Sequence, residues 1–158
     1  MPTNTQAMDY AGSSAPLLSE ILTKVNNAKM KEDKIKVLKQ NDSVPLRQIL
    51  KGAFDPKIEW DLPEGIPPYK VNEAPAGTEH TLLYTESKRL WHFVKGADNR
   101  TSKTRKEMLY IQMLEGLHAD EAKLLISVKE KKLNNMYKGL TDAVVKEAFG
   151  WNDDYKTA

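Results

Sequence analysis

A short corner near the end of the chain has the residue types that can hold a phosphate group. Lys138 and Gly139 follow one helical pattern, and Thr141 opens the next. The first turn of a helix offers unpaired backbone N–H groups and about half a positive charge, which together attract anions. Gly139 would permit a close approach or a positive φ, and Lys138 adds charge. An ordinary helix end followed by an N-cap is the alternative interpretation.

Positive charge is also concentrated in a second part of the chain. The net charge is only +2, so the distribution of charge carries more information than its sum. Residues 95–106 (KGADNRTSKTRK) contain five cations, which are Lys95, Arg100, Lys103, Arg105 and Lys106. Lys131 and Lys132 lie shortly before the corner. Cations at loops and helix ends can contact the phosphates of a duplex without reading its bases, although many such charges are simply solvated.

The usual motifs of catalysis are missing from the sequence. It has no glycine-rich loop of Walker or Rossmann spacing and no G-x-S-x-G motif. It has no cysteine, and the spacing of His80, His92 and His118 does not fit a metal site. Asp120 and Glu121 are better explained as first-turn acids of a helix that begins near His118, and His92 as a structural histidine. We therefore expect a protein that is not an enzyme and binds no metal or cofactor.

Hydrophobic periodicity predicts helices along most of the chain. Apolar residues recur at helical spacing in residues 17–28, 31–40, 43–54, 80–95, 102–116, 118–136 and 141–149. Ser43 is a predicted N-cap with Pro45 in the first turn, and Gly150 is a predicted helix stop. The fold class is therefore all-α, a compact bundle of about six to eight helices with one proline-rich extended segment crossing it.

The crossing segment, residues 55–79, combines prolines with large apolar side chains. Proline removes helical hydrogen bonds and favours extended or turn geometry. A free linker would not keep Trp60, Ile66 and Tyr69, so we expect this segment to pack over the helices, with a short strand at residues 57–60. If these three side chains are exposed instead, they form an apolar patch for a partner protein.

Length and composition fit one domain. The chain has 158 residues, of which 40% are hydrophobic and 29% charged. We predict a disordered tail at residues 1–15, a single helical domain at residues 16–151 and a flexible tail at residues 152–158. No apolar run approaches the roughly 20 residues that span a bilayer, and the N-terminus lacks the pattern of a secretory signal. The expected location is a reducing cytoplasm.

Two stretches of the sequence resemble a known DNA-binding domain. Residues 17–62 (LLSEILTKVNNAKMKEDKIKVLKQNDSVPLRQILKGAFDPKIEWDL) place a short helix before a lysine-rich stretch, then a helix that ends in an extended segment with an aromatic residue. Residues 107–150 (EMLYIQMLEGLHADEAKLLISVKEKKLNNMYKGLTDAVVKEAFG) add the closing helices and the corner. This order is similar to the helical DNA-binding domain of T-even-phage-type ATP-dependent DNA ligases. The chain also resembles an uncharacterised protein family of large tailed phages, especially those that infect marine cyanobacteria.

The resemblance implies DNA binding without ligation. A ligase needs a Lys-x-Asp-Gly motif whose lysine takes the adenylate, and no such motif occurs here. What the resemblance implies is a free-standing, non-enzymatic module that grips the minor-groove side of duplex DNA through its phosphates. It would serve phage replication, repair or recombination in the host cytoplasm, with a phage or host replication protein as a further partner. The residues that carry over are Arg100, Lys103, Arg105, Lys138, Gly139 and Thr141.

A second function class stays open beside DNA binding. The chain could be a protein-interaction adaptor or a virion assembly factor that uses residues 55–79. Exposure of Trp60, Ile66 and Tyr69 would favour this alternative, and their burial would remove its best support.

Overall fold

The structure, a computed structural model, describes residues 16–74 and 81–157. Within these ranges it contains eight α-helices and one 3₁₀ helix. They are α1 (Leu18–Asn27), α2 (Lys31–Gln40), α3 (Val44–Phe54), α4 (Leu83–Glu86), the 3₁₀ helix (Ser87–Phe93), α5 (Lys103–Gly116), α6 (Ala119–Lys129), α7 (Leu133–Met136) and α8 (Asp142–Phe149). The all-α prediction is confirmed. The predicted tail at residues 1–15 lies outside the described residues.

Helix α6 lies at the centre of the fold. It contacts α1, α3, α5 and α7, while α2 packs against α1 and α8. Its sequence buries apolar residues on several sides, as expected of a helix that neighbours surround. The outer helices bury one stripe each, and in α1 this stripe consists of Leu18, Ile21, Leu22 and Val25. The buried leucines of these helices form one continuous core.

The predicted helix ends are confirmed. The Ser43 hydroxyl accepts a hydrogen bond from the backbone N–H of Leu46 at 3.1 Å. Gly150 ends α8 with φ of 66°, a conformation that glycine adopts without strain. His118 begins α6, because its Nδ1 accepts from the backbone N–H of Asp120 at 3.1 Å. The Ser43 and His118 side chains thus satisfy backbone N–H groups that have no partner within their helices.

Two of the predicted helices have a different form in the structure. The first is the single helix predicted over residues 80–95. It begins as α4 and continues as the 3₁₀ helix. A 3₁₀ helix has three residues per turn, and the buried positions Ser87, Leu90 and Phe93 follow that period. Hydrogen bonds fix its end, since the backbone N–H of Asp61 donates to the Phe93 carbonyl at 2.7 Å.

The second difference is a break in the helix predicted over residues 118–136. Helix α6 ends at Lys129, and α7 begins at Leu133. Between them Lys131 has φ of 59°, a left-handed conformation that is uncommon for a residue with a side chain. Its ammonium donates to the carbonyl oxygens of Gly52 at 2.7 Å and Asp55 at 2.9 Å, which lie at the end of α3. The break therefore lets Lys131 satisfy carbonyls that α3 leaves without helical partners.

The described part of the crossing segment, residues 55–74, packs against the helices as predicted, but the strand predicted at residues 57–60 is wrong. Only an isolated bridge between Trp60 and Val94 forms there. Residues 75–79 of this segment lie outside the described residues. The Trp60 indole packs against α3, where a Cβ added to Gly52 would lie 2.8 Å from its Cζ2. The Lys129 ammonium donates to the carbonyl oxygens of Pro63 and Gly65 at 2.7 and 2.8 Å. These contacts hold the segment without a sheet.

Residues 151–157, most of which lie in the segment predicted as a flexible tail, form a turn that an isolated bridge between Trp151 and Thr157 closes. The backbone N–H of Asn152 donates to the Lys156 carbonyl at 2.8 Å. Tyr155 is buried and hydrogen-bonds Asp142 of α8, while Lys146 pairs with Asp153 at 3.1 Å. Among the described helices, none has the length and apolar character to cross a membrane.

Candidate nucleic-acid interface

The basic loop, defined here as residues 95–105, comprises the connection before α5 and the first three residues of that helix, and it carries four exposed cations. They are Lys95, Arg100, Lys103 and Arg105, all of which the sequence predicted as contacts. The Lys103 side chain is 87% exposed, and the nearest carboxylate, that of Asp61, lies 3.9 Å from its ammonium. Most of the positive charge of the loop is therefore available to a ligand at the surface.

Asp98 holds the backbone of the basic loop. It is 7% exposed, and its Oδ1 accepts from the backbone N–H groups of Arg100 at 3.0 Å and Thr101 at 3.2 Å. Its Oδ2 accepts from the Thr101 hydroxyl at 2.8 Å and lies 2.9 Å from Nδ1 of His92. Hydrogen bonds from His92 and Thr101 hold the pKa of this carboxyl well below its usual range. The loop is thus fixed by an ionised carboxylate beneath it.

Lys106 was predicted to contact phosphate, but in the structure its side chain is buried in the protein interior. It is 2% exposed, and its ammonium donates to the Asp98 carbonyl at 2.6 Å and to the Asp61 carboxylate at 3.0 Å. The physical reason is its place in α5, where it continues the buried stripe of Tyr110 and Met113. That i, i+4, i+7 spacing was the available sequence signal. Lys106 supports the loop from inside and cannot reach a ligand.

Lys131 and Lys132 also differ in whether their ammonium groups can reach a ligand. Lys131 is an exposed residue, but its ammonium donates to the carbonyl oxygens of Gly52 and Asp55, and partial burial lowers its pKa. Lys132 is exposed. Lys131 therefore serves the fold, and of these two predicted contacts Lys132 alone presents its charge outward.

The polar groups of the corner, residues 138–141, form hydrogen bonds within the protein. The backbone N–H of Gly139 donates to Oδ1 of Asn26 at 2.8 Å, and Gly139 has no positive φ. The Thr141 hydroxyl accepts from the N–H of Val144 at 3.3 Å and caps α8. Asp142 already places a carboxylate in the first turn of α8. The corner is therefore a packed connection in which Lys138 is an exposed cation.

A substitution at the corner can test this structural interpretation. A Cβ at Gly139 would lie 2.8 Å from the Lys34 ammonium and 3.2 Å from the Asn26 carbonyl. Gly139→Ala is therefore expected to lower the free energy of unfolding by about 1–2 kcal/mol in urea denaturation, because the neighbours must shift. Lys138→Ala, the adjacent exposed control, should change it by less than about 0.5 kcal/mol. Unchanged stability of the Gly139 variant would contradict the tight packing of the corner.

The three apolar residues of the alternative site do not form one exposed patch. Ile66 is 76% exposed. Trp60 and Tyr69 instead pack against the hydrophobic core, and the Trp60 Nε1 donates to the Gly52 carbonyl at 3.2 Å.

An exposed aromatic stack beside the basic loop was missed by the sequence reasoning. Trp91 is 50% exposed, and its indole stacks on the His92 imidazole with 3.8 Å between ring centroids. The available signal was the i, i+3 spacing of Leu90 and Phe93, which α- and 3₁₀ helices share and which leaves Trp91 outside the buried row.

Comparison with known proteins gives a family but no activity. No curated protein and no solved structure matches the chain. In the described part of the chain, no group of three acidic or histidine side chains could hold a metal ion. One sequence family matches residues 21–135, a span that includes the basic loop and ends before the corner. The chain belongs to this family, which is a family of unknown function named DUF6433.

Proposed function

We propose that the protein is a non-enzymatic, sequence-independent binder of duplex DNA that contacts the phosphate backbone through the basic loop. The observation that carries the proposal is the group of four exposed cations on a loop that Asp98 fixes from below. A loop that is already ordered loses little conformational entropy when a ligand binds. Contacts to phosphate alone carry no sequence information, so binding to any duplex is expected.

The N-terminus of α5 adds a positive electrostatic potential that favours anions at the basic loop. Ser102 caps this helix by accepting from the N–H of Arg105 at 3.1 Å. Its first turn contains no acid, whereas the first turn of α8 contains Asp142. The positive end of the α5 dipole is therefore not neutralised by a first-turn carboxylate. This difference supports the basic loop over the corner as the place where phosphates bind.

The biological setting of the proposal rests on the order of the sequence patterns. Similarity to the DNA-binding domain of phage ligases supports a role in phage DNA replication, repair or recombination in the host cytoplasm. A phage or host replication protein is the further partner that this setting implies.

The salt dependence of binding tests the proposal. Fluorescence anisotropy with a labelled duplex should give a log–log salt slope of about −3 to −4, because four phosphate contacts release counterions. Affinity should fall by about a hundredfold between about 50 and 200 mM salt. A duplex of unrelated sequence, the control, should bind equally well, and a preference for a nicked duplex would support ligase-like geometry. Absence of binding even at the lower salt would exclude the proposal.

The adaptor alternative has less support. It requires a continuous apolar surface on the crossing segment, and Ile66 provides exposed area there. Trp60 lies on Gly52, and Tyr69 is partly buried, with its hydroxyl pKa raised by burial. Since the three side chains are not exposed together, DNA binding is the function that we favour.

A further inference from the structure

We propose that Trp91 stacks on an unpaired nucleobase, so that the protein prefers DNA with a single-stranded gap to an intact duplex. This inference rests on the proposed function, because the same basic loop would hold the phosphates next to that base. It adds a second type of contact, to the flat face of a base, which phosphate binding alone does not provide.

Trp91 is exposed in a way that the other tryptophans are not. Half of its surface is accessible, while Trp60 and Trp151 pack against the hydrophobic core. Leaving a large aromatic side chain in water forgoes the free energy that its burial would supply. An exposed indole on a folded helical element is therefore suited to being covered by a ligand.

The indole stacks on a histidine that is hydrogen-bonded to the same carboxylate as the basic loop. It stacks on His92 at an interplanar angle of 29°, and His92 Nδ1 lies 2.9 Å from the Asp98 carboxylate. The same carboxylate accepts from the backbone N–H groups of Arg100 and Thr101. One buried side chain thus fixes an aromatic surface and a cationic loop relative to each other. This pairing suits a nucleotide, which combines a flat base with an anionic phosphate.

An open groove beside the stack has the polarity that a base requires. Its volume is about 500 Å³, and His92 forms part of its wall. Phe93, Leu109 and Met113 make it apolar, and Gln112 and Glu115 add polar groups. Arg89 also lines the groove, but its guanidinium pairs with Glu86 at 3.0 Å, which leaves Glu115 as a further acid. A neutral base can donate its amino hydrogens to carboxylate or amide oxygens. The chemistry of the groove favours the base, and that of the basic loop favours the backbone.

Stacking is compatible with sequence-independent binding. Every base offers an aromatic face, so a tryptophan can stack on any of them without reading hydrogen-bond patterns. In an intact duplex these faces are covered by neighbouring bases. Trp91 can therefore contribute only where the DNA has lost a partner strand, as in a gap.

The experiment compares an intact labelled duplex with the same duplex carrying a three-nucleotide gap, both titrated by fluorescence anisotropy. Wild-type protein is expected to bind the gapped DNA about tenfold more tightly. Trp91→Ala should lose this preference, with a much smaller loss on the intact duplex, and Trp91→Phe should keep most of it. Tyr84→Ala removes another aromatic side chain, 52% exposed, and serves as the matched control that leaves both affinities as in the wild type.

Each alternative outcome has a definite meaning. Equal wild-type affinity for the two DNAs, or a preference that survives Trp91→Ala, would overturn base stacking and leave the proposed duplex binding intact. Equal loss on both DNAs in Trp91→Ala would also overturn it, because the contact would not depend on an unpaired base. Failure of the wild type to bind either DNA would overturn the proposed function itself.

Discussion

Reversing the charges of Arg100 and Arg105 together is expected to weaken binding to an intact duplex by at least about a hundredfold at moderate salt. The double variant removes two phosphate contacts and places two carboxylates where the DNA backbone would lie. The magnitude of the log–log salt slope should also fall by about 2, since two fewer counterions are released. The measurement is anisotropy with a labelled duplex at several salt concentrations.

The structure indicates that this variant should fold normally. Both arginine side chains are exposed. The hydrogen bonds that order the loop use their backbone N–H groups, which donate to Asp98 and Ser102 and survive substitution. The free energy of unfolding should therefore stay within about 0.5 kcal/mol of the wild-type value.

A charge-matched control separates a local site from a general effect of net charge. Lys36→Glu with Lys39→Glu makes the same change in charge at exposed positions of α2. We expect this variant to weaken duplex binding by no more than about threefold, because long-range charge effects are screened at moderate salt. If both double variants lose affinity equally, net charge alone controls binding and the basic loop is not the site.

The helices could be predicted from sequence because their signals are local. Apolar spacing and the caps at Ser43 and Gly150 depend on residues within a few positions of each other. The 3₁₀ helix could not be separated from an α-helix by the same reasoning, because its end is fixed through the bridge between Val94 and Trp60. The break at Lys131 likewise depends on carbonyls of α3.

The candidate site shows the same division between local and distant causes. Sequence spacing predicted the basic loop, since its cations lie close together in the chain. It could not show that the Gly139 N–H is taken by Asn26, a partner 113 residues away. It also could not show that Asp98 connects the loop to Trp91 through His92, because that contact requires the loop to fold back.

Lys103 and Lys106 lie on one helix but differ strongly in burial. Replacing each with alanine should therefore change the stability of the protein by different amounts. Lys106→Ala is expected to lower the free energy of unfolding by about 3 kcal/mol, because it leaves the Asp61 carboxylate without its buried partner. Lys103→Ala should change it by less than about 0.5 kcal/mol, because that side chain is 87% exposed. Urea denaturation of the two variants and the wild type provides the measurement.

In DNA binding the order of the two variants should be reversed: Lys103→Ala is expected to have the larger effect and Lys106→Ala the smaller one. Lys103→Ala is expected to reduce the magnitude of the salt slope by about 1, the value for one lost phosphate contact. Lys106→Ala, at temperatures where it remains folded, should keep its salt slope, because the buried ammonium touches Asp61 and the Asp98 carbonyl instead of solvent. A Lys106 variant of wild-type stability with a reduced slope would place this lysine on DNA and contradict the structure. The comparison is informative because both ammonium groups lie within 4.0 Å of Asp61, so burial is the property that separates them.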